Sequence, residues 1–460
     1  MKLTKVTLQN FRRFETLEIP LEGCSQVLFV GNNGAGKSSI LEATADGLSW
    51  LVARIHRDKG SGSSLNDGEI LNGKAEAAIT LEVEHRQESF RWSLVKTRTG
   101  RKKTRESQLT DATRLADQFR TALGQDDAET SLPLMAYYPV ERVVLDVPLK
   151  IKIKHKFGQL DGYDNALQQG VDFRRFFEWF RDREDSENES TTNFTDHILK
   201  FLKEADQEQL WQELVRLRTS TKDRQLTAVR SAIMTFMPGF TNLRIQRRPR
   251  LQMVLEKDDQ TLDVGQLSQG EKSLMALVGD VARRLAMMNP ALTNPLHGEG
   301  IVLIDEVDLH LHPKWQRTIL GNLANTFPNV QFILTTHSPI IISQERNVCG
   351  FVLTDGDMQR IGSVYGLDVN QVLLQEMDTD VRAPAIQKKI DELLNAIQSG
   401  EAEQAQSLLI ELEEQLPANH MEVAKARLLL QRLHAKKVQQ RETVAGALLK
   451  RLETGCENNS

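Results

Sequence analysis

Val27-Leu28-Phe29-Val30 runs directly into Gly31-Asn32-Asn33-Gly34-Ala35-Gly36-Lys37-Ser38-Ser39. Four apolar residues ahead of a glycine-rich turn describe a buried strand, and Ile40-Leu41-Glu42-Ala43 continues beyond the turn as helix. The segment between them fits G-x-x-x-x-G-K-[ST], the phosphate-binding P-loop. Its glycines let backbone N–H groups close around phosphate oxygens, and the helix that follows turns its positive N-terminal end toward the anion. Gly31, Asn32, Asn33, Gly34, Ala35 and Gly36 then form the cradle and Ser39 opens the helix. Lys37 reaches the β- and γ-phosphates of a nucleoside triphosphate, and the Ser38 hydroxyl serves as a ligand for Mg²⁺.

Composition sets the frame. A chain of 460 residues with 40% hydrophobic content buries a sizeable core and has room for two to four domains of ordinary size. No apolar run approaches the roughly 20 residues that cross a membrane, and the first residues lack a signal-peptide core, so the expectation is a cytoplasmic protein. Cys24, Cys349 and Cys456 are few and scattered, which predicts plain thiols. A net charge of −5 argues against a chain that coats nucleic acid everywhere and leaves local basic patches open.

Upstream of the P-loop, alternation of Thr4, Val6 and Leu8 predicts a strand, followed by a turn over Asn10-Phe11-Arg12-Arg13-Phe14 and a strand at Leu17-Glu18-Ile19. Arg12 stands where it would contact bound nucleotide, although a Phe-rich turn is also ordinary core. Ala77, Ile79, Leu81 and Val83, then Phe90, Trp92 and Leu94, alternate as a hairpin with one buried face. Lys96, Arg98, Arg101, Lys102, Lys103 and Arg105 follow, either a grip on a phosphate backbone or a solvated loop. Tyr137-Tyr138 ends another apolar strand, and Lys150, Lys152, Lys154 and Lys156 line one face of an extended segment. From residue 165 to 240 the period changes to 3.6. Phe173, Phe176, Phe177 and Phe180 mark one helix, Val229, Ala232, Ile233 and Phe236 another, with an acidic, serine-rich loop predicted over Glu184 to Ser190.

Leu267-Ser268-Gln269-Gly270-Glu271 heads an apolar helical run from Leu274 to Met288, a second anion-binding helix N-terminus. Ile301-Val302-Leu303-Ile304 ends in Asp305-Glu306, and Phe332-Ile333-Leu334-Thr335-Thr336 ends in His337. Buried parallel strands that deliver Lys37, two carboxylates and a histidine at their C-terminal ends predict one site at one edge of one sheet.

A P-loop, then Leu-Ser-x-Gly-Glu, then apolar-Asp-Glu, then Thr-His-Ser resembles the ABC-type ATPases of the RecF/SMC-like branch. More narrowly, Tyr137-Tyr138-Pro139-Val140-Glu141-Arg142, the run from Asp305 to Gln316 and Thr336-His337-Ser338-Pro339 resemble the PtuA ATPases of Septu and retron-associated Septu-like anti-phage systems. The resemblance implies an α/β ABC-type P-loop domain with a helical insertion and a C-terminal α-helical region. ATP and Mg²⁺ are the implied cofactors. Asp305 would hold the metal through water, Glu306 would polarise the attacking water, and His337 would sense the γ-phosphate. Ser268 and Gly270 would contact ATP bound to the opposite protomer of a sandwich dimer. No glutamine marks the loop that such ATPases use to sense Mg²⁺ and water, and Tyr138 to Arg142 occupies its place.

The implied domains are an ATPase domain split between 1–164 and 241–380, a helical insertion over 165–240, and a helical region over 381–460. Three stripes mark that last region: Ile390, Leu393, Leu394 and Ile397; Ala405, Leu408, Leu409 and Leu412; Ala426, Leu429, Leu430 and Leu433. They cap the chain's own core or dock a partner. His310 and His312 are either metal ligands or part of a dimer-interface loop. The implied function is an ATPase that controls a separate HNH-type nuclease in phage defence, with nucleic acid as a further partner. The alternatives are a RecF-like DNA-repair ATPase, and a nucleotide-sensing scaffold that hardly hydrolyses.

Overall fold

The computed structural model describes residues 1–125, 130–140, 157–168, 171–201, 222–344, 348–354, 356–361, 384–417 and 420–435. Glu141 and Arg142 and the lysine-studded segment 149–156 lie outside these residues.

The first sheet is antiparallel. Strands β1 (Lys2–Phe11) and β2 (Phe14–Pro20) pair with each other, and β1 also pairs with β4 (Glu76–His85), which turns into β5 (Glu88–Thr97). A register shift between Leu3 and Lys5 moves the buried face onto Leu3, Val6, Leu8 and Phe11, so Thr4 leaves the alternation expected of it. The β4–β5 hairpin closes through Arg86 and Gln87, both at positive φ, as a two-residue turn that follows strand twist requires.

The second sheet carries the site. β3 (Gln26–Gly31), β6 (Leu134–Tyr138), β10 (Gly300–Ile304) and β11 (Val330–Thr336) are buried along their whole length. They lie parallel, with β12 (Val348–Thr354) beside β3 and the short antiparallel β13 (Asp357–Arg360) at the edge, in the order β13-β12-β3-β11-β10-β6. Apolar runs without alternation thus mark strands covered on both faces. Ile304 stands opposite Leu334 and Tyr138, and Thr336 opposite Val30, so the segments after β3, β10 and β11 emerge side by side.

Helix α1 (Lys37–His56) follows β3, and α2 (Thr110–Gln125) packs on α1 and β5. Helix α3 (Phe173–Phe201) is continuous through Glu184 to Ser190, which corrects the loop expected there. Tertiary pairing overrides weak helix propensity. Glu184 is buried and bonds to Arg230 of α4 (Arg224–Phe236) at 2.9 Å, while Glu187 bonds to the same guanidinium at 2.9 Å. β7 (Phe240–Gln246), β8 (Gln252–Lys257) and β9 (Gln260–Asp263) form a small antiparallel sheet ahead of α5 (Gln269–Met288). The run Leu274 to Met288 is less apolar inside than its spacing suggests. Asp280, Arg283 and Arg284 are fully buried as a salt-bridged group, and Asp280 also accepts from the Tyr138 hydroxyl at 3.0 Å.

The thiols expected of Cys24 and Cys349 are instead a disulfide. The two are 325 positions apart in sequence, but β12 lies directly beside β3 and brings them within 5.9 Å Cα to Cα. Cys456 lies outside the described residues.

Residues Met1–Val372 form one unit and Leu373–Ser460 a second. In the second, α7 (Pro384–Ser399), α8 (Ala402–Gln415) and a helix over residues 421–435 turn their apolar stripes onto one another. Ile390, Leu393, Ile397, Ala405, Leu409, Leu412, Ala426 and Leu430 are buried together as its core. The stripes therefore fill this unit rather than standing open as docking faces. Leu429 is the exception, 39% exposed, with Ile410, Met421 and Leu428 exposed outside the stripes.

Candidate active site

Gly36 is the residue before α1 and has φ 105°, and a Cβ built on it would lie 2.5 Å from the Phe14 ring. Only glycine meets both demands. Gly31 is similarly confined, since its Cβ would lie 2.4 Å from the Leu353 carbonyl oxygen of β12. The turn so formed sends Lys37 inward. Its ammonium donates to the carbonyls of Gly31 at 2.8 Å and Asn32 at 3.1 Å and to His337 Nε2 at 2.8 Å.

Burial lowers the Lys37 pKa from its ordinary range, with Asp305, Glu306 and Asp308 pulling the other way. Burial and then the Lys37 charge hold the His337 imidazole below its ordinary 6.5. A neutral ring accepting at Nε2 carries its proton on Nδ1.

Asp305 follows β10 and is 2% exposed, and its backbone N–H donates to the Tyr138 carbonyl at 2.9 Å. Its carboxylate accepts from the Thr335 hydroxyl, and that same hydroxyl accepts from the Glu306 N–H at 2.7 Å. Glu306 has φ 46°, a left-handed conformation that a non-glycine residue holds only when its surroundings enforce it. Thr336 likewise donates to Asp308 and accepts from the Ser338 N–H at 2.9 Å. Neither threonine was singled out as functional in the sequence. Two hydroxyls at the end of an otherwise apolar strand are the signal that could have found them.

Arg12, at φ 51° in the β1–β2 turn, pairs with Glu42 and with Glu69 at 3.0 Å and donates to the Ser39 hydroxyl at 3.3 Å. Asp46, one turn along α1 from Glu42, has its carboxyl pushed up to about 6, first by burial and then by Glu69 and Glu42.

A cleft of about 250 Å³ is lined by Arg12, Arg13, Asn33, Gly34, Gly36, Lys37, Ser38, Ser39, Asp305, Glu306 and His337. The expected convergence of lysine, carboxylates and histidine is therefore present, and Arg13 joins it. Among the described residues no cluster of three His, Cys, Asp or Glu could hold a metal by itself. The Ser38 hydroxyl and Asp305 carboxylate, both on the cleft, fit Mg²⁺ instead, since that ion takes few protein oxygens and fills its shell with phosphate and water.

Ser268 and Gly270 do not line this cleft. The Ser268 hydroxyl caps α5 by accepting from the Glu271 N–H at 3.3 Å, while Glu271 bonds back to the Ser268 N–H at 2.8 Å. Gly270 lies against the loop after Glu306, where a Cβ would sit 2.3 Å from the His310 carbonyl oxygen. That contact is with the His310 backbone alone, and His312 caps α6 (Pro313–Gln316) by accepting from the Lys314 N–H at 3.2 Å. Among the described residues no third His, Cys, Asp or Glu joins this pair in a group that could hold a metal ion. Tyr138, expected in place of the glutamine loop, points its hydroxyl at Asp280.

A family model described as an AAA domain matches residues 5–223. The chain is 36% identical to a retron Vc95 probable ATPase of Vibrio cholerae serotype O1 biovar El Tor over 75% of its own length and 71% of the relative's. The chain belongs to the retron-associated ATPase family. A retron Ec83 probable ATPase of Escherichia coli is 34% identical to the chain over 74% of the chain and 69% of the relative. A Septu protein PtuA of Bacillus mycoides (strain KBAB4) matches 16% of the chain and 10% of its own length at 46% identity. The chain is thus an ATPase built on an α/β P-loop domain. No helix among its described residues is long and apolar enough to cross a membrane.

Proposed function

We propose that this retron ATPase is the ATP-hydrolysing regulatory subunit of an anti-phage defence complex that closes as an ATP-sandwich dimer and controls a separate HNH-type nuclease. The observation that carries this reading is the split between Lys37, Ser38, Asp305, Glu306 and His337 on one cleft and Ser268 and Gly270 outside it. An anion-binding helix N-terminus outside its own chain's cleft supports a reading in which a second copy's cleft takes it up.

The P-loop backbone and Lys37 bind the phosphates, and Ser38, with Asp305 through water, would hold Mg²⁺, which would supply charge neutralisation at the phosphates. Glu306 orients the attacking water and takes up its proton. His337, held neutral, donates or accepts at Nε2 according to its tautomer and so registers whether a γ-phosphate faces it. Arg12, bound to Ser39 of α1, ties the β1–β2 turn to the phosphate site. The domain reading is an ATPase domain from 1–164 and 241–380, an insertion over 165–240, and a helical region over 381–460 that docks the nuclease on its exposed side. The protein acts in the cytoplasm.

Two full-length variants test the catalytic part. Lys37→Ala should abolish ATP binding, whereas Glu306→Gln should bind ATP and fail to hydrolyse it. Equal loss of affinity in both would sink the assigned roles. Co-purification with the neighbouring gene's product tests the nuclease. Strong stimulation by DNA with no companion protein would favour the repair ATPase, and tight binding with negligible turnover in the unaltered chain would favour the scaffold.

A further inference from the structure

We propose that Thr335 is the positioning residue of the hydrolytic site, one hydroxyl that sets both the metal-binding carboxylate of Asp305 and the placement of Glu306. This rests on the catalytic roles proposed above. Thr335 is 0% exposed, stands on β11 between β10 and β3, and is opposite Phe29 of the P-loop strand. A hydroxyl has a single proton. Here it is directed to Asp305, which leaves a lone pair for the Glu306 N–H at 2.7 Å. The Thr335 carbonyl accepts from the Val307 N–H at 2.9 Å, so this residue grips the turn after β10 at three successive positions.

That turn needs gripping. Glu306 at φ 46° is in a strained conformation for a side-chain-bearing residue, one that persists only where neighbours over-determine it. Removing the hydroxyl leaves a buried carboxylate oxygen without this donor and the Glu306 N–H without this acceptor, and both losses favour a relaxed turn. Glu306 lines the cleft, so a relaxed turn moves the group that must align water with the phosphate. Thr336 repeats the device one residue on, through Asp308 and the Ser338 N–H, so the strand that ends in His337 carries the whole turn from Asp305 to Asp308.

The test compares full-length Thr335→Val, which keeps the shape and loses the hydroxyl, with Thr335→Ser, which keeps the hydroxyl. Thr335→Val should lower kcat about a hundredfold, the size of a misplacement of about 1 Å. ATP affinity should stay within about threefold, because Lys37 and the P-loop are untouched. Backbone hydrogen exchange at residues 305–309 should speed up. Thr335→Ser should retain both the rate and the slow exchange. If Thr335→Val does not fold, Thr335→Ala removes the same hydroxyl and carries the same expectation. Wild-type kcat and exchange in the valine variant, or an equal loss in the serine variant, would overturn the proposal. Failure of the catalytic reading is distinguishable, because Glu306→Gln would then still hydrolyse ATP while the exchange comparison at 305–309 still reports on the tether.

Discussion

Lys37 and His337 are joined by a 2.8 Å hydrogen bond across 300 positions of sequence, the ammonium donating to Nε2 of a neutral imidazole. Protonating the ring would set two cations in contact and remove the acceptor. The unfolded chain takes up this proton near pH 6.5 and the folded chain only at lower pH. Between those two values the unfolded state binds more protons, so stability falls as the pH is lowered through 6.5. His337→Gln should flatten this part of the Tm against pH curve. An unchanged slope would mean that the pair does not govern it.

Asp46 titrates in the opposite sense. Its carboxyl is pushed up to about 6 in the fold from an ordinary 3.8, so the folded state binds the extra proton between these values and stability declines as the pH rises through that range. Asp46→Asn should therefore raise Tm more at pH 7.5 than at pH 4. An equal shift at both values would assign the effect to packing.

The buried group on α5 should be unforgiving. Asp280→Ala leaves Arg283 and Arg284, each 1% exposed, without their shared counter-ion. Breaking a buried pair in this way costs about 3–5 kcal/mol. Denaturant unfolding of the unit Met1–Val372 within the full chain measures it, and a loss below about 1 kcal/mol would contradict the geometry.

Mixing Lys37→Ala chains with Ser268→Arg chains tests the shared site. A mixed dimer carries both lesions in one site and none in the other, so ATPase activity should partly return. Ser268 suits this experiment better than Gly270, whose Cβ would strike its own chain's His310 carbonyl. No recovery in proven mixed dimers would count against the trans arrangement.

The basic stretch that begins at the end of β5 is not uniform. Lys96 pairs with Asp67 at 3.3 Å, Lys103 with Glu106 at 3.2 Å, and Arg105 bonds to Gln9 at 2.8 Å. The Arg101 and Lys102 side chains have no such partner among the described residues and are exposed. If the stretch holds duplex DNA, replacing these two by Ser should lower the log–log salt slope by about 1.8, at about 0.9 per phosphate contact. An unchanged slope would make the stretch a solvated loop.

Sequence alone determined that Lys37, Asp305, Glu306 and His337 meet at one cleft. The runs before Gly31, Asp305 and His337 have the uninterrupted apolar character of parallel strands covered on both faces, and such strands deliver their C-terminal residues to one edge. The capped helix after Ser268 and the helices of the C-terminal unit were legible for a similar reason, since caps and 3.6-residue stripes are local. Tertiary structure alone decided what depends on which strands are neighbours. Cys24 meets Cys349 because β12 lies beside β3, Glu184 stays helical because Arg230 faces it, and the C-terminal stripes are spent on one another. The division of labour between Thr335 and Thr336 belongs there too. A hydroxyl at the end of a strand is visible in a sequence, but which carboxylate takes its proton depends on the distance to the strand alongside.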